Sequence, residues 1–136
     1  MSDRHWAPVY LGALVTVRMK GAWVDAGAYA ASVGAPVHVL TAWNPGAARP
    51  SEAANRAANE RLRARLVELG LDPVQAIGAD PDSPHAEESW AVVGLSDEAA
   101  RRVGAAFEQV AVFRVTASEL VVLACSEDWV VRRALP

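Results

Sequence analysis

Residues 36–43, Pro-Val-His-Val-Leu-Thr-Ala-Trp, would be apolar on both faces of an extended chain, and Asn44-Pro45-Gly46 stops the run. A strand of this kind belongs inside a sheet, where both faces are covered. Proline cannot continue a ladder and glycine supplies turn geometry, so the strand ends there. Ser51 is then a good N-cap, with Pro50 before it and Glu52 in the first turn. The spacing predicts a helix from Ser51 to Gly70, a C′ residue. A buried strand feeding directly into a long helix restricts the chain to folds that pack helices on a sheet.

The other elements follow from local pattern. Residues 9–19 are rich in β-branched and aromatic side chains and read as a strand, with a turn at Gly21. Residues 22–34 fit either a second strand or a short helix. Residues 73–77 and 89–95 read as strands around a turn-rich connection at 78–84. Ser96 caps a second helix, with Asp97 and Glu98 in its first turn and Val103 and Phe107 on its buried face. Strands are expected at 110–115 and 119–125, and a terminal helical turn at 128–135 that packs Trp129. From residue 36 the order is β-α-β-β-α-β. This split β-α-β pattern predicts an α+β, ferredoxin-like two-layer sandwich, with extra edge strands at the N- and C-termini. The length of 136 residues suits one domain over 1–136, and there is no internal repeat.

The formal net charge of -3 argues against a nucleic-acid surface, since the arginines at 49–65 and 101–102 share their helices with Glu and Asp. No apolar stretch approaches the roughly 18 residues of a membrane span, and no signal-peptide pattern is present. Cys125 is the single cysteine and lies in an apolar run, as an inert buried thiol does. A cytoplasmic location is expected. No P-loop, dinucleotide fingerprint, nucleophile elbow or Cys/His spacing occurs, so neither a cofactor nor a metal is implied.

The sharpest site argument comes from Asn55 and Asn59. At about 100° per residue they share one stripe with Leu62, Leu66 and Leu69, so two amides face the core. A buried amide without partners costs on the order of 1–3 kcal/mol, so something fixed lies opposite. One reading has them bonded to the Asn44-Pro45-Gly46 backbone as a brace; the other has them contact a ligand together with Thr41 and Trp43, which share a strand face. Asp80, Asp82, His85, Glu87 and Glu88 form an acidic loop that matches no metal motif and reads as solvated turn chemistry. Glu87 and Ser89 lead into a strand on one face, where Glu87 is placed either to face water or to act as an acid or base. His38, within the apolar strand, reads as a satisfied core histidine.

These residues resemble the bacterial domain of unknown function 3293 family. The likeness rests on Thr41-Ala42-Trp43-Asn44-Pro45-Gly46, Asn55-x-x-x-Asn59 with Leu62, Gly70-Leu71, Gly78-x-Asp80, Glu87-x-Ser89, Gly94-Leu95-Ser96 and Gln109-x-Ala111-Val112-Phe113. It covers roughly residues 37–113. The resemblance implies a compact cytoplasmic bacterial domain and brings no activity, cofactor or substrate. The family pattern has Trp near the position of His85, which counts against His85 as a shared metal ligand. It also draws in Gln109, a polar group between the second helix and a strand.

Two functions from different classes follow. One is a module that binds a small polar ligand or peptide through Thr41, Trp43, Asn44, Asn55, Asn59, Ser89 and Gln109, with Glu87 beside them. The other is a hydrolase or transferase with Glu87 as general acid or base. A structural homodimer joined through the sheet edges is a third reading, in which the asparagines only brace the loop. Binding is preferred, because nothing in the chain resembles an activated nucleophile.

Overall fold

The computed structural model describes residues 2–136. After a single 3-10 turn at Arg4–Trp6 come helix α1 (Ala7–Leu11), strands β1 (Leu14–Met19) and β2 (Ala22–Asp25), and helix α2 (Ala26–Val33). Strand β3 (Val37–Leu40), helix α3 (Glu52–Glu68), strands β4 (Val74–Ala79) and β5 (Ala86–Val93), and helix α4 (Asp97–Ala106) follow. Strands β6 (Ala111–Val115), β7 (Glu119–Ala124) and β8 (Val130–Ala134) complete the chain. All eight strands join one curled, half-barrel sheet in the order β2-β1-β4-β5-β3-β6-β7-β8. Every pairing in it is antiparallel.

The expected two-layer ferredoxin-like sandwich is not what forms. Four helices cover the sheet on both faces. Helices α3 and α4 pack on the face that carries Leu40, Trp90, Val92, Val112 and Leu123, with Leu62 and Leu66 fully buried beneath α3. Helices α1 and α2 close the opposite face over Val15, Val37, Val39, Ala91 and Val122. The physical reason lies in the N-terminal third. Pro8 sits in the first turn of α1, where its missing N–H is tolerated, and Gly12 ends the helix. A strand was expected over the whole of 9–19; it begins only at Leu14. Residues 22–34 hold both alternatives in succession, strand β2 and then helix α2.

The C-terminal helical turn also gives way to a strand, β8, whose alternating burial registers it against β7. Arg133 on that strand ties the end of the sheet to α1. Its Nε donates to the Leu11 carbonyl at 2.6 Å and its Nη2 to the Ala13 carbonyl at 2.8 Å. Leu11 ends α1, where carbonyls lack helical partners and a cation is well placed, and Ala13 lies just beyond it. Both longer helices start at the expected caps. The Ser51 hydroxyl accepts from the Ala54 N–H and the Ser96 hydroxyl from the Ala99 N–H, each at 3.1 Å.

Candidate functional site

Because side chains alternate along strands, Val39 and Thr41, Glu87 and Ser89, and Ala111 and Phe113 all point to the face covered by α1. They form the floor of a partly open cavity of about 150 Å³. Trp6, Val9, Tyr10 and Ala13 close it from above, and Trp43, Asn44, Arg49, His85, Glu108 and Gln109 stand around it. Of the residues singled out from sequence, Thr41, Trp43, Asn44, Glu87, Ser89 and Gln109 come together here. Asn55 and Asn59 do not line it.

The two asparagines lie on the other face of the sheet, on α3, and hold the strand end from behind. Asn59 Oδ1 accepts from the Ala42 N–H at 3.0 Å, and its Nδ2 donates to the Glu88 carbonyl at 3.0 Å. Its own carbonyl receives the Trp90 indole N–H at 2.9 Å. Asn55 Oδ1 accepts from the Asn44 N–H and its Nδ2 donates to Asn44 Oδ1, both at 2.9 Å. Every polar atom of both side chains is thereby engaged within the protein. The amides pin a loop that would otherwise leave buried backbone groups orphaned.

That loop is locked from a second side. Gly46 N–H donates to the Glu108 carbonyl at 2.8 Å, and Gln109 Nε2 donates to the carbonyls of Trp43 and Phe107 at 3.2 Å. Asn44 and Glu108, at φ 48° and 59°, are two of the three non-glycine residues in the left-handed region, and both line the cavity. Backbone held in this region stores free energy on the order of 1–3 kcal/mol and gathers at functional sites. Thr41 and Ser89 face the cavity with their hydroxyls already donated, to the Glu88 carbonyl at 2.7 Å and the Glu87 carbonyl at 3.1 Å.

Glu87 is the chemically distinctive group. Its carboxylate is three-quarters covered, and its one basic partner within 4 Å among the described residues is His85 Nε2 at 3.4 Å, the long limit of a hydrogen bond. Burial pushes its pKa above the usual carboxylate value, while His85 and the Arg49 guanidinium pull it back only in part. Burial likewise raises the Tyr10 phenol, and the Glu87 charge adds to that shift, so Tyr10 remains protonated. The Cys125 thiol lies outside the cavity and is pushed up to about 12 by burial. Neither it nor the two hydroxyls is arranged as a nucleophile.

The acidic loop resolves into separate tasks. Asp80 accepts from the Asp82 N–H at 2.8 Å and shapes its own turn, while Glu88 points to the opposite face and reaches Arg56 Nε at 3.3 Å. Among the described residues, no three His, Cys, Asp or Glu side chains converge on a point where a metal ion would sit. No helix among them is long and apolar enough to cross a membrane. Sequence reasoning missed the roof: Tyr10 belongs to the segment read as strand, and Trp6 lies before it in a 3-10 turn that was not singled out. It grouped His85 with Glu87 in the acidic loop without pairing the two; His85 lies just before β5, and its Nε2 is 3.4 Å from the Glu87 carboxylate.

A family model described as "Protein of unknown function (DUF3293)" matches residues 40–112. That span holds the strand end, both brace asparagines and most of the cavity floor, and leaves out the α1 roof. No curated protein and no solved structure matches the chain.

Proposed function

Because the chain belongs to the DUF3293 family, whose description names no activity, we propose from the cavity alone that this protein binds a small polar ligand at the strand end. The observation that carries the reading is the convergence of Thr41, Trp43, Asn44, Glu87, Ser89 and Gln109 on one cavity roofed by Trp6 and Tyr10. A concave, partly apolar space with a few polar groups and one buried carboxylate is the ordinary form of a small-molecule site. Asn55 and Asn59 serve it as positioning residues, by fixing the loop that bears Trp43 and Asn44.

The raised pKa of Glu87 favours one second reading, a hydrolase or transferase in which Glu87 acts as general acid or base. Binding is preferred to it because the hydroxyls beside Glu87 are committed to backbone carbonyls. A homodimer through the sheet edges has less support. On edge strand β2, the exposed Trp23 is covered by the Arg18 guanidinium at 5.5 Å from the ring, and a charge at an edge opposes strand addition.

The test is a thermal-shift screen of small metabolites on the parent and on Gly78→Leu, which fills the floor of the cavity beside Glu87. A ligand at 100 times its Kd stabilises the protein by about 2.7 kcal/mol. Compounds that stabilise the parent and not the variant support the site. A library in which no compound distinguishes the two proteins overturns it.

A further inference from the structure

The unengaged polar atoms on the cavity wall decide what kind of ligand fits. Gln109 is 6% exposed, and its Nε2 must face the Trp43 and Phe107 carbonyls, because an oxygen there would oppose two acceptors. Its Oε1 is thereby fixed on the other side of the amide, where it accepts nothing from the described residues. The Glu87 carboxylate likewise receives no hydrogen bond of good geometry, with His85 at 3.4 Å. Two residues that line the cavity, on either side of the strand end that carries Thr41, therefore each hold an acceptor that the protein leaves without a good donor.

The charges agree. Asp80, Glu87 and Glu108 line the cavity against a single guanidinium, Arg49, which lies at its exposed rim. An anion entering here would meet a carboxylate that is already poorly solvated. A cation would supply the donors that Glu87 lacks, and the aromatic faces of Trp6, Tyr10, Trp43 and Phe113 attract positive charge as well. The volume matters too, since a cavity of about 150 Å³ is the size that accepts a benzene ring.

We infer that the ligand is a small organic cation, a protonated amine or amidine on a body about the size of one ring, with its N–H groups directed at the Glu87 carboxylate. This assignment rests on the ligand-site reading above. Gln109 Oε1 offers a second acceptor across the strand end at Thr41, and the Arg49 guanidinium at the rim disfavours a second positive charge on the ligand.

Three probes of one size and different charge test it: benzylamine, benzyl alcohol and benzoate, titrated at pH 7.5 against the parent, Glu87→Gln and Gly78→Leu, with amide NMR shifts as the readout. Benzylamine is expected to bind the parent at least about tenfold more tightly than benzyl alcohol, as a desolvated charge pair allows. Glu87→Gln is expected to bring the two within about twofold of each other, and its own melting curve shows that it is folded. Benzylamine affinity is expected to fall on acidification while that of benzyl alcohol holds. If benzyl alcohol or benzoate binds the parent as tightly as benzylamine and Gly78→Leu abolishes that binding, the cation assignment fails and the pocket stands. If no probe binds the parent, or if Gly78→Leu leaves binding unchanged, the pocket reading fails as well.

Discussion

Gly78 and Glu87 stand directly opposite one another across the β4–β5 ladder, and the side chain that Gly78 lacks is the space beside the Glu87 carboxylate. Cross-strand partners share a face, so any residue larger than glycine there would project into the cavity floor. A Cβ built on Gly78 meets no atom within 4 Å, and its backbone is in a region open to any residue. Gly78 therefore leaves part of the cavity floor open, and the strand does not require a glycine there.

Gly78→Ala is accordingly expected to raise stability by about 0.4–1 kcal/mol, through the smaller conformational freedom of its unfolded chain. Urea denaturation measures it. A loss of stability would mean that the space beside Glu87 is already filled.

Glu87 has a pKa raised by burial, so it favours the folded state in its protonated form. Its contribution is fully present below the unfolded carboxylate value and is lost as pH rises through the higher folded value. Glu87→Gln removes that loss. The variant is expected to melt above the parent at pH 7 and to match it near pH 4, in paired thermal melts across that range. A gain of the same size at both ends would show that ionisation is not the cause.

His38 titrates with the opposite sign. It is 2% exposed, its Nε2 lies 2.7 Å from Asp97 Oδ1, and its Nδ1 has no partner among the described residues. Burial lowers its pKa more than Asp97 raises it, so the folded state holds it neutral. Its stability contribution is present above about 6.5, the unfolded value, and is lost as pH falls from there through the folded value. Chemical denaturation of the parent between pH 7.5 and 5 is expected to show that loss, and His38→Gln to flatten it. An unchanged slope in His38→Gln would place its cause outside His38.

How far the sequence foretold the site depends on where each wall comes from. Part of the floor was legible because strand alternation assigns faces, as for Glu87 with Ser89, whereas the strand expected over 36–43 ends at Leu40 and Trp43 stands on the wall. The inward turn of Asn55 and Asn59 followed from helix arithmetic, and both are buried. Their partner did not follow, because periodicity says which side of a helix is covered and not which atom covers it. The same arithmetic placed Leu69 on the stripe, yet the helix ends at Glu68 and Leu69 is 41% exposed. The roof was hidden for a different reason. In α1, Val9 and Tyr10 have strand propensity, and tertiary contact with β7 and β8 overrides it. Pro8 and Gly12 were the local signals for that short helix.

Asn59→Ala separates a brace from a ligand contact. It leaves the Ala42 N–H, on a residue 1% exposed, without its acceptor, while the Glu88 carbonyl keeps Thr41. The expected cost is about 1–3 kcal/mol, the usual penalty for one orphaned buried group. Because Asn59 does not line the cavity, benzylamine affinity is expected to change less than about twofold once the folded fraction is accounted for. A large affinity loss with little stability loss would return Asn59 to the ligand.

The last expectation concerns how closely α4 lies on the sheet, which sets the position of the Glu108–Gln109 wall at the end of that helix. A Cβ at Gly104 would sit 2.5 Å from Cys125 Sγ and 2.7 Å from Val112 Cγ1, both inside van der Waals contact. Gly104→Ala gains helix propensity, yet overpacking of this kind typically costs about 1–3 kcal/mol, so the net effect is destabilising. Cys125→Ala removes the sulfur and leaves the valine methyl, so the double variant is expected to recover part of the loss and not all of it. A double-mutant cycle in urea measures that coupling, with favourable interaction energy on the order of 0.5–3 kcal/mol for residues in contact. If the two losses simply add, α4 has moved away from β7 instead of pressing on Cys125, and the Gln109 wall would have moved with it.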